Sequence, residues 1–124
     1  MNRITAELLP DAYNAAVEIG EITEGLSFEA YLNARTTRLA TERLFEILGE
    51  ALVKAKREAP NLIKSIDGAE AAIGMRNRII HGYNEVDHMT VWATAIDEVP
   101  EFRLRLSRLL ETAGYSPHDV DGIE

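Results

Sequence analysis

The sequence predicts an all-α protein, an antiparallel bundle of four to five helices. Apolar residues recur at intervals of three and four along the long segments, sustained alternation of β-branched residues is absent, and the connections are short and punctuated by Gly and Pro. With 124 residues and 46% hydrophobic content, the chain has room for one core without disulfides, and cysteine is absent. We expect one helical domain over residues 1–112 and a polar, frayed tail over 113–124, where Gly114 and Pro117 break the pattern.

Pro10 and Asp11 suit the opening of a first helix carrying Ala12, Val17, Ile19 and Ile22, closed by Gly25. Ser27 can cap a short second helix with Phe28, Tyr31 and Leu32. The longest helix is expected from about Thr36 to Glu58. Leu44, Ile47, Leu48, Ala51 and Ala55 form its seam, Lys54, Lys56 and Arg57 sit where the dipole favours cations, and Pro60 ends it. Asp67 or a neighbour starts the next helix, which stops near Gly82. Asp87 then caps a last helix with Met89, Val91, Trp92 and Ile96, followed after a kink or restart at Pro100 by Phe102, Leu104, Leu106, Leu109 and Leu110.

Net charge is −8, which argues against a broad nucleic-acid-binding surface, but the charge is uneven. Residues 1–34 sum to −5, residues 35–81 to +3 and residues 82–124 to −6. A local basic surface on an acidic body suits restricted RNA contact or a protein partner, beside the plain reading of a solvated surface. The first residues lack the apolar stretch of a signal peptide and no apolar run reaches membrane-spanning length, so a cytoplasmic protein with no membrane contact is expected.

The segment Arg76-Asn77-Arg78-Ile79-Ile80-His81-Gly82-Tyr83 is the candidate site. On a helix at about 100° per residue, Ala72, Ile73, Ile79, Ile80 and Tyr83 form a stripe with Arg76 in its middle. A guanidinium there needs a carboxylate, with Glu46 and Glu50 as candidates, or an anionic ligand. His81 lies about 140° around the helix from Arg76, so one ideal helix does not aim both at one point. Either the helix ends at Gly82, just past His81, or a second copy of the chain brings its own Arg76 and His81 across a two-fold axis. The apolar stripes of the motif helix and the Trp92 helix exceed what one small core absorbs, which also favours a homodimer.

Cleaving RNA without a metal requires a base for the 2′-hydroxyl proton, an acid for the leaving 5′-oxygen, and a cation for the charge on the phosphorane. Imidazole fills either proton role and guanidinium holds phosphate oxygens while staying charged. One chain offers one well-placed histidine, whereas a homodimer offers two. His81, Asp87 and His88 straddle a turn and lack the helical spacing of zinc ligands, so no metal is expected, and His88 and His118 read as solvated. No phosphate loop, cysteine or serine elbow supports another chemistry, and no cofactor is called for. Trp92 and Tyr31 read as core or interface anchors.

The motif resembles that of the HepT toxins, a branch of the HEPN superfamily of all-helical ribonucleases in prokaryotic toxin–antitoxin modules. The Arg-x4-His-x-Tyr signature stands here as Arg76, His81 and Tyr83; Arg43 with Glu46-Ile47-Leu48-Gly49-Glu50-Ala51, and Val86-Asp87 followed by Val91-Trp92, are similar as well. Gly68-Ala69-Glu70-Ala71 departs from the family in lacking a tryptophan. The resemblance implies a HEPN-like homodimer and a metal-independent endoribonuclease acting on RNA, tRNA included. On that reading Arg76 and His81 are its catalytic residues; Asn77, Arg78 and Glu46 are our own candidates for supporting them. It also implies a minimal nucleotidyltransferase antitoxin that transfers AMP to Tyr83. The alternative is a catalytically silent partner of a nucleotidyltransferase, whose Arg76 and His81 serve an interface or bind nucleotide; a third reading is a structural dimer with a buried ion pair.

Overall fold

The computed structural model describes residues 3–82 and 86–114, and every regular element among them is helical. In order these are α1 (Arg3–Thr23), α2 (Phe28–Asn33), α3 (Arg35–Glu58), α4 (Pro60–Ser65), α5 (Ala69–Gly82), α6 (His88–Ala93), a π-helical turn over Thr94–Glu98, and α7 (Val99–Thr112). The long helices α1, α3, α5 and α7 build the bundle. α3 packs on α1 along one side and α5 along the other, and α7 covers the remaining flank of α1. Among the described residues no helix is long and apolar enough to cross a membrane.

Local signals placed several boundaries. Gly25 adopts φ +75°, a conformation only glycine takes without strain, and lets the chain leave α1 with Leu26 N–H donating to Thr23 O at 3.0 Å. Ser27 caps α2, its hydroxyl accepting from Ala30 N–H at 3.1 Å. Asp87 caps α6, accepting from Met89 N–H at 3.0 Å, Thr90 N–H at 3.4 Å and the Thr90 hydroxyl at 2.8 Å. Those bonds, the Thr90 hydroxyl first, hold its carboxyl below the usual range. The restart expected at Pro100 is present, with Pro100 in the first turn of α7 just after the π-helical turn.

Other expectations are corrected. Helix α1 does not open at Pro10 and Asp11; it begins at Arg3 and carries Pro10 inside it. An interior proline forfeits a backbone hydrogen bond and costs about 3 kcal/mol, but Leu9 is fully buried and Leu8 packs against the core, so tertiary burial holds the upstream turn helical. The seam of α3 is shifted in part: Leu48, Ala51 and Ala55 are buried as expected, but Thr41, Phe45 and Leu52 join them while Leu44 and Ile47 are only half-buried. Between α3 and α5 the chain inserts the short α4, started by Pro60 and anchored by the buried Ile63. Gly68, the neighbour of Asp67, stands directly before α5 within the expected start, at φ +95° and so close to Phe102 that a Cβ would sit 3.0 Å from its ring.

Tyr31 and Trp92 are anchors within the chain. The Trp92 indole donates to Leu26 O at 2.9 Å and its ring lies 5.7 Å from Phe28, tying α6 to the loop before α2. Tyr31 is wholly buried with no hydrogen-bond partner for its hydroxyl among the described residues. Burial, followed by the Glu42 charge, pushes its pKa up to about 12 against the opposing pull of the Arg38 charge. Since the folded value is raised, its contribution is intact below about pH 10 and is lost as pH climbs toward 12, up to about 3 kcal/mol. Tyr31→Phe should therefore match or exceed the parent in urea melts at pH 8 and lose less stability between pH 10 and 12. An equal alkaline loss in both proteins would contradict this account.

Candidate active site

Helices α3 and α5 meet at a glycine. A Cβ at Gly49 would fall onto the Arg76 side chain, 2.7 Å from its Cγ and 3.4 Å from Ala72 O, so only hydrogen at position 49 lets the two helices approach this closely. That contact delivers the Arg76 guanidinium to Glu50, the next residue on α3. Nη2 donates to Glu50 Oε1 at 2.7 Å and Nη1 donates to Asn77 Oδ1 at 2.7 Å. Two of its five N–H donors are thus committed and three remain. The Arg76 side chain is 24% exposed and that of Glu50 is 43% exposed.

Of the two carboxylates considered for Arg76, Glu50 is the partner. Glu46 pairs instead with Arg43 of its own helix at 3.0 Å, because three residues along a helix bring both to one face. Arg76 opens into a groove of about 320 Å³ between α1, α3 and α5, whose charged lining is Asp11, Arg43, Glu46, Glu50, Lys54 and Arg76. Ile47, Ala51 and Ile80 supply part of its apolar floor. Arg78, two residues on, faces a second groove of about 290 Å³ with Met75, Ile79 and Val91, near Gly82 and Asp87.

His81 is exposed and lines neither groove. Helix α5 runs unbroken through Gly82, so His81 keeps its helical azimuth and one chain does not turn it toward Arg76. Tyr83 lies outside the described residues, as do Pro117 and His118. His88, expected in solvent, turns its Nδ1 inward to 3.7 Å from Glu42 Oε2, too long for a hydrogen bond. No group of three or more His, Cys, Asp or Glu among the described residues is placed to hold a metal ion. What the arrangement offers chemically is a fixed, half-buried guanidinium in a groove and an accessible imidazole on another face of the same helix.

The profile of the family described as Ribonuclease HepT-like matches residues 12–109. The chain belongs to that family. The matched span runs from α1 into α7 and includes the α3 and α5 residues that line the Arg76 groove, whereas Leu8 and Asp11 on the α1 side precede it. A HepT relative from Thermococcus cleftensis, a ribonuclease by name, is 31% identical over 109 residues, 88% of this chain and 98% of its own. A Methanocaldococcus jannaschii protein whose name assigns it an expected RNase activity is 32% identical over 94 residues, 76% of this chain and 77% of its own. A similarly named protein from Caldanaerobacter subterraneus subsp. tengcongensis is 31% identical over 91 residues, 73% and 80% of the two chains. No solved structure matches the chain significantly.

Within this HepT-like chain, reading the sequence singled out Arg76 and the choice of carboxylates but missed two further charged residues of their groove. Asp11 read only as a helix opener and Lys54 only as a dipole cation, yet both line the groove. Lys54 had a usable signal, standing four residues beyond Glu50 and so on the same face of α3. Asp11 had none, since its place depends on how α1 crosses α3.

Proposed function

We propose that this chain is a metal-independent endoribonuclease, the toxin of a prokaryotic toxin–antitoxin pair, acting as a homodimer whose cleft combines Arg76 and His81 of two copies. The observation that carries this reading is the divided site. Arg76 is pre-oriented in a groove by Glu50 and Asn77 with three donors spare, while His81 stands exposed on another face of an unbroken helix. A second copy related by a two-fold axis supplies the missing convergence and the second imidazole.

In this mechanism one His81 accepts the 2′-hydroxyl proton and the 2′-oxygen attacks the adjacent phosphorus. Arg76 balances the charge on the non-bridging oxygens of the phosphorane. The other His81, protonated at the outset, donates to the departing 5′-oxygen. The products are a 2′,3′-cyclic phosphate and a 5′-hydroxyl end. Arg78, Asn77 and Glu46 have supporting roles: Asn77 holds Arg76, Glu46 holds Arg43 at the groove, and Arg78 contacts RNA beside the neighbouring groove.

The cognate partner is a minimal nucleotidyltransferase antitoxin that silences the site through Tyr83. The phenol oxygen attacks the α-phosphorus of ATP, pyrophosphate leaves, and the phosphodiester so formed pairs with Arg76 or Arg78 where the scissile phosphate would bind. The competing reading, a silent subunit of the transferase, draws on the Arg76–Glu50 pair, which on its own is also a structural ion pair.

The test is incubation of the purified chain with total RNA and tRNA in EDTA, with mapping of the new ends. Cyclic-phosphate and 5′-hydroxyl ends support the mechanism, while activity that appears only on adding a divalent metal overturns it. Light scattering at micromolar concentration should report a dimer, and a species near 13.8 kDa would remove the shared cleft. Toxin recovered from a neutralised co-expression should carry one adenylyl mass that Tyr83→Phe lacks; unmodified but silent toxin would mean occlusion instead.

A further inference from the structure

The Arg76 groove contains one cation that the bundle itself does not use. Arg43 is paired with Glu46 and Arg76 with Glu50, but Lys54 is exposed and makes no hydrogen bond or ion pair among the described residues. It stands four residues past Glu50 on α3, about 6 Å along the helix, a distance comparable to the step between neighbouring phosphates of one strand. Arg43 stands two turns to the other side of Glu50, about 10 Å away. Arg43 and Lys54 thus stand along α3 on either side of the point where the Arg76 guanidinium of α5 meets Glu50, in a groove with an aliphatic floor.

The groove also holds Asp11, Glu46 and Glu50, so it is not a uniformly positive funnel. Glu46 and Glu50 are neutralised by their arginines, and Asp11 lies on the opposite wall, on α1. Its volume of about 320 Å³ is comparable to that of one nucleotide of a strand. The cations fall within the one net-positive third of an otherwise acidic chain.

We infer that this groove is the seat of single-stranded RNA beside the cut, with Lys54 binding the phosphate next to the one held by Arg76. The inference rests on the ribonuclease reading and names the substrate's form. Lys54 is a binding residue, and its loss raises KM more than it lowers kcat.

The experiment uses the full chain carrying His81→Ala, which binds without cutting, and a fluorescent unstructured RNA titrated at several salt concentrations. Adding Lys54→Ala should weaken binding several-fold and lower the slope of log K against log salt by about 0.7. Lys54→Arg should restore both, and Lys64→Ala, on the exposed face of α4, should change neither. A slope equal to the parent's overturns the inference, as does an equal effect from Lys64→Ala. It is also overturned if Lys54→Ala leaves RNA binding intact but weakens the complex with a co-purified protein, since the groove would then serve an acidic partner. Unchanged KM and kcat in Lys54→Ala, with the parent still cutting RNA, would remove this inference alone. Lys54-dependent RNA binding by a protein that never cuts would remove the ribonuclease reading alone.

Discussion

His81→Ala should lower RNA cleavage by about 10²–10⁴-fold, the usual contribution of a positioned general acid or base, with no loss of fold. His81 is exposed and no hydrogen bond or ion pair ties it among the described residues, so far-UV circular dichroism and the melting temperature should match the parent's. Expression of the parent chain should arrest growth and the variant should not. Arg76→Ala should be comparably inactive, and Arg76→Lys should recover only part, because an ammonium keeps the charge but loses the fork that holds two phosphate oxygens. The stability of Arg76→Ala separates the readings. Were Glu50 buried, stranding it would cost several kcal/mol. At 43% exposure water can solvate its carboxylate, and we expect a loss of about 1 kcal/mol or less. Full cleavage by either His81→Ala or Arg76→Ala would exclude the proposed chemistry.

Gly49→Ala should have the largest effect on stability for its size. Alanine favours a helix over glycine by about 1 kcal/mol, which on an open surface would make the change stabilising. At position 49 the new methyl group meets Arg76 Cβ, an atom fixed by the α5 backbone, so the helices must move apart. Overpacking of this kind costs about 1–3 kcal/mol, and the separation also pulls the guanidinium from Glu50. The expected result is a lower melting temperature and weakened cleavage together. Gly20→Ala is the control: nothing lies within 4 Å of a Cβ there, so it should be neutral or stabilising by up to about 1 kcal/mol. If Gly49→Ala melts at or above the parent temperature, the close approach of α3 and α5 is not what holds Arg76 in place.

Caps were readable because they depend on a few neighbouring backbone groups. Gly25, Ser27 and Asp87 each act within three residues of themselves, so their chemistry is complete in the local sequence. Pro10 was misread by the same rule. Its local preference is to open a helix, but Leu9 in the core outweighs that preference, and burial is not a local quantity. On α3 the apolar residues cover more than half the circumference, so Leu44 and Ile47 compete with Phe45 and Leu52 for the core, and only the positions of α1 and α5 choose between them. The inward turn of His88 toward Glu42 and the insertion of α4 depend in the same way on packing between segments far apart in the chain.

The helical class, the caps and the Arg76–His81–Tyr83 motif are legible in the order of residues alone, as is the fact that Arg76 and His81 cannot converge on one straight helix. That last point follows from a rotation of about 100° per residue, which no tertiary contact alters while the helix stays intact. It takes the packed bundle to bring Glu50 rather than Glu46 to Arg76, to make Gly49 set the distance between their helices, and to place Asp11 and Lys54 in their groove. These are relations between different helices, and the facing of one helix on another is set by how whole surfaces pack, which no single segment encodes.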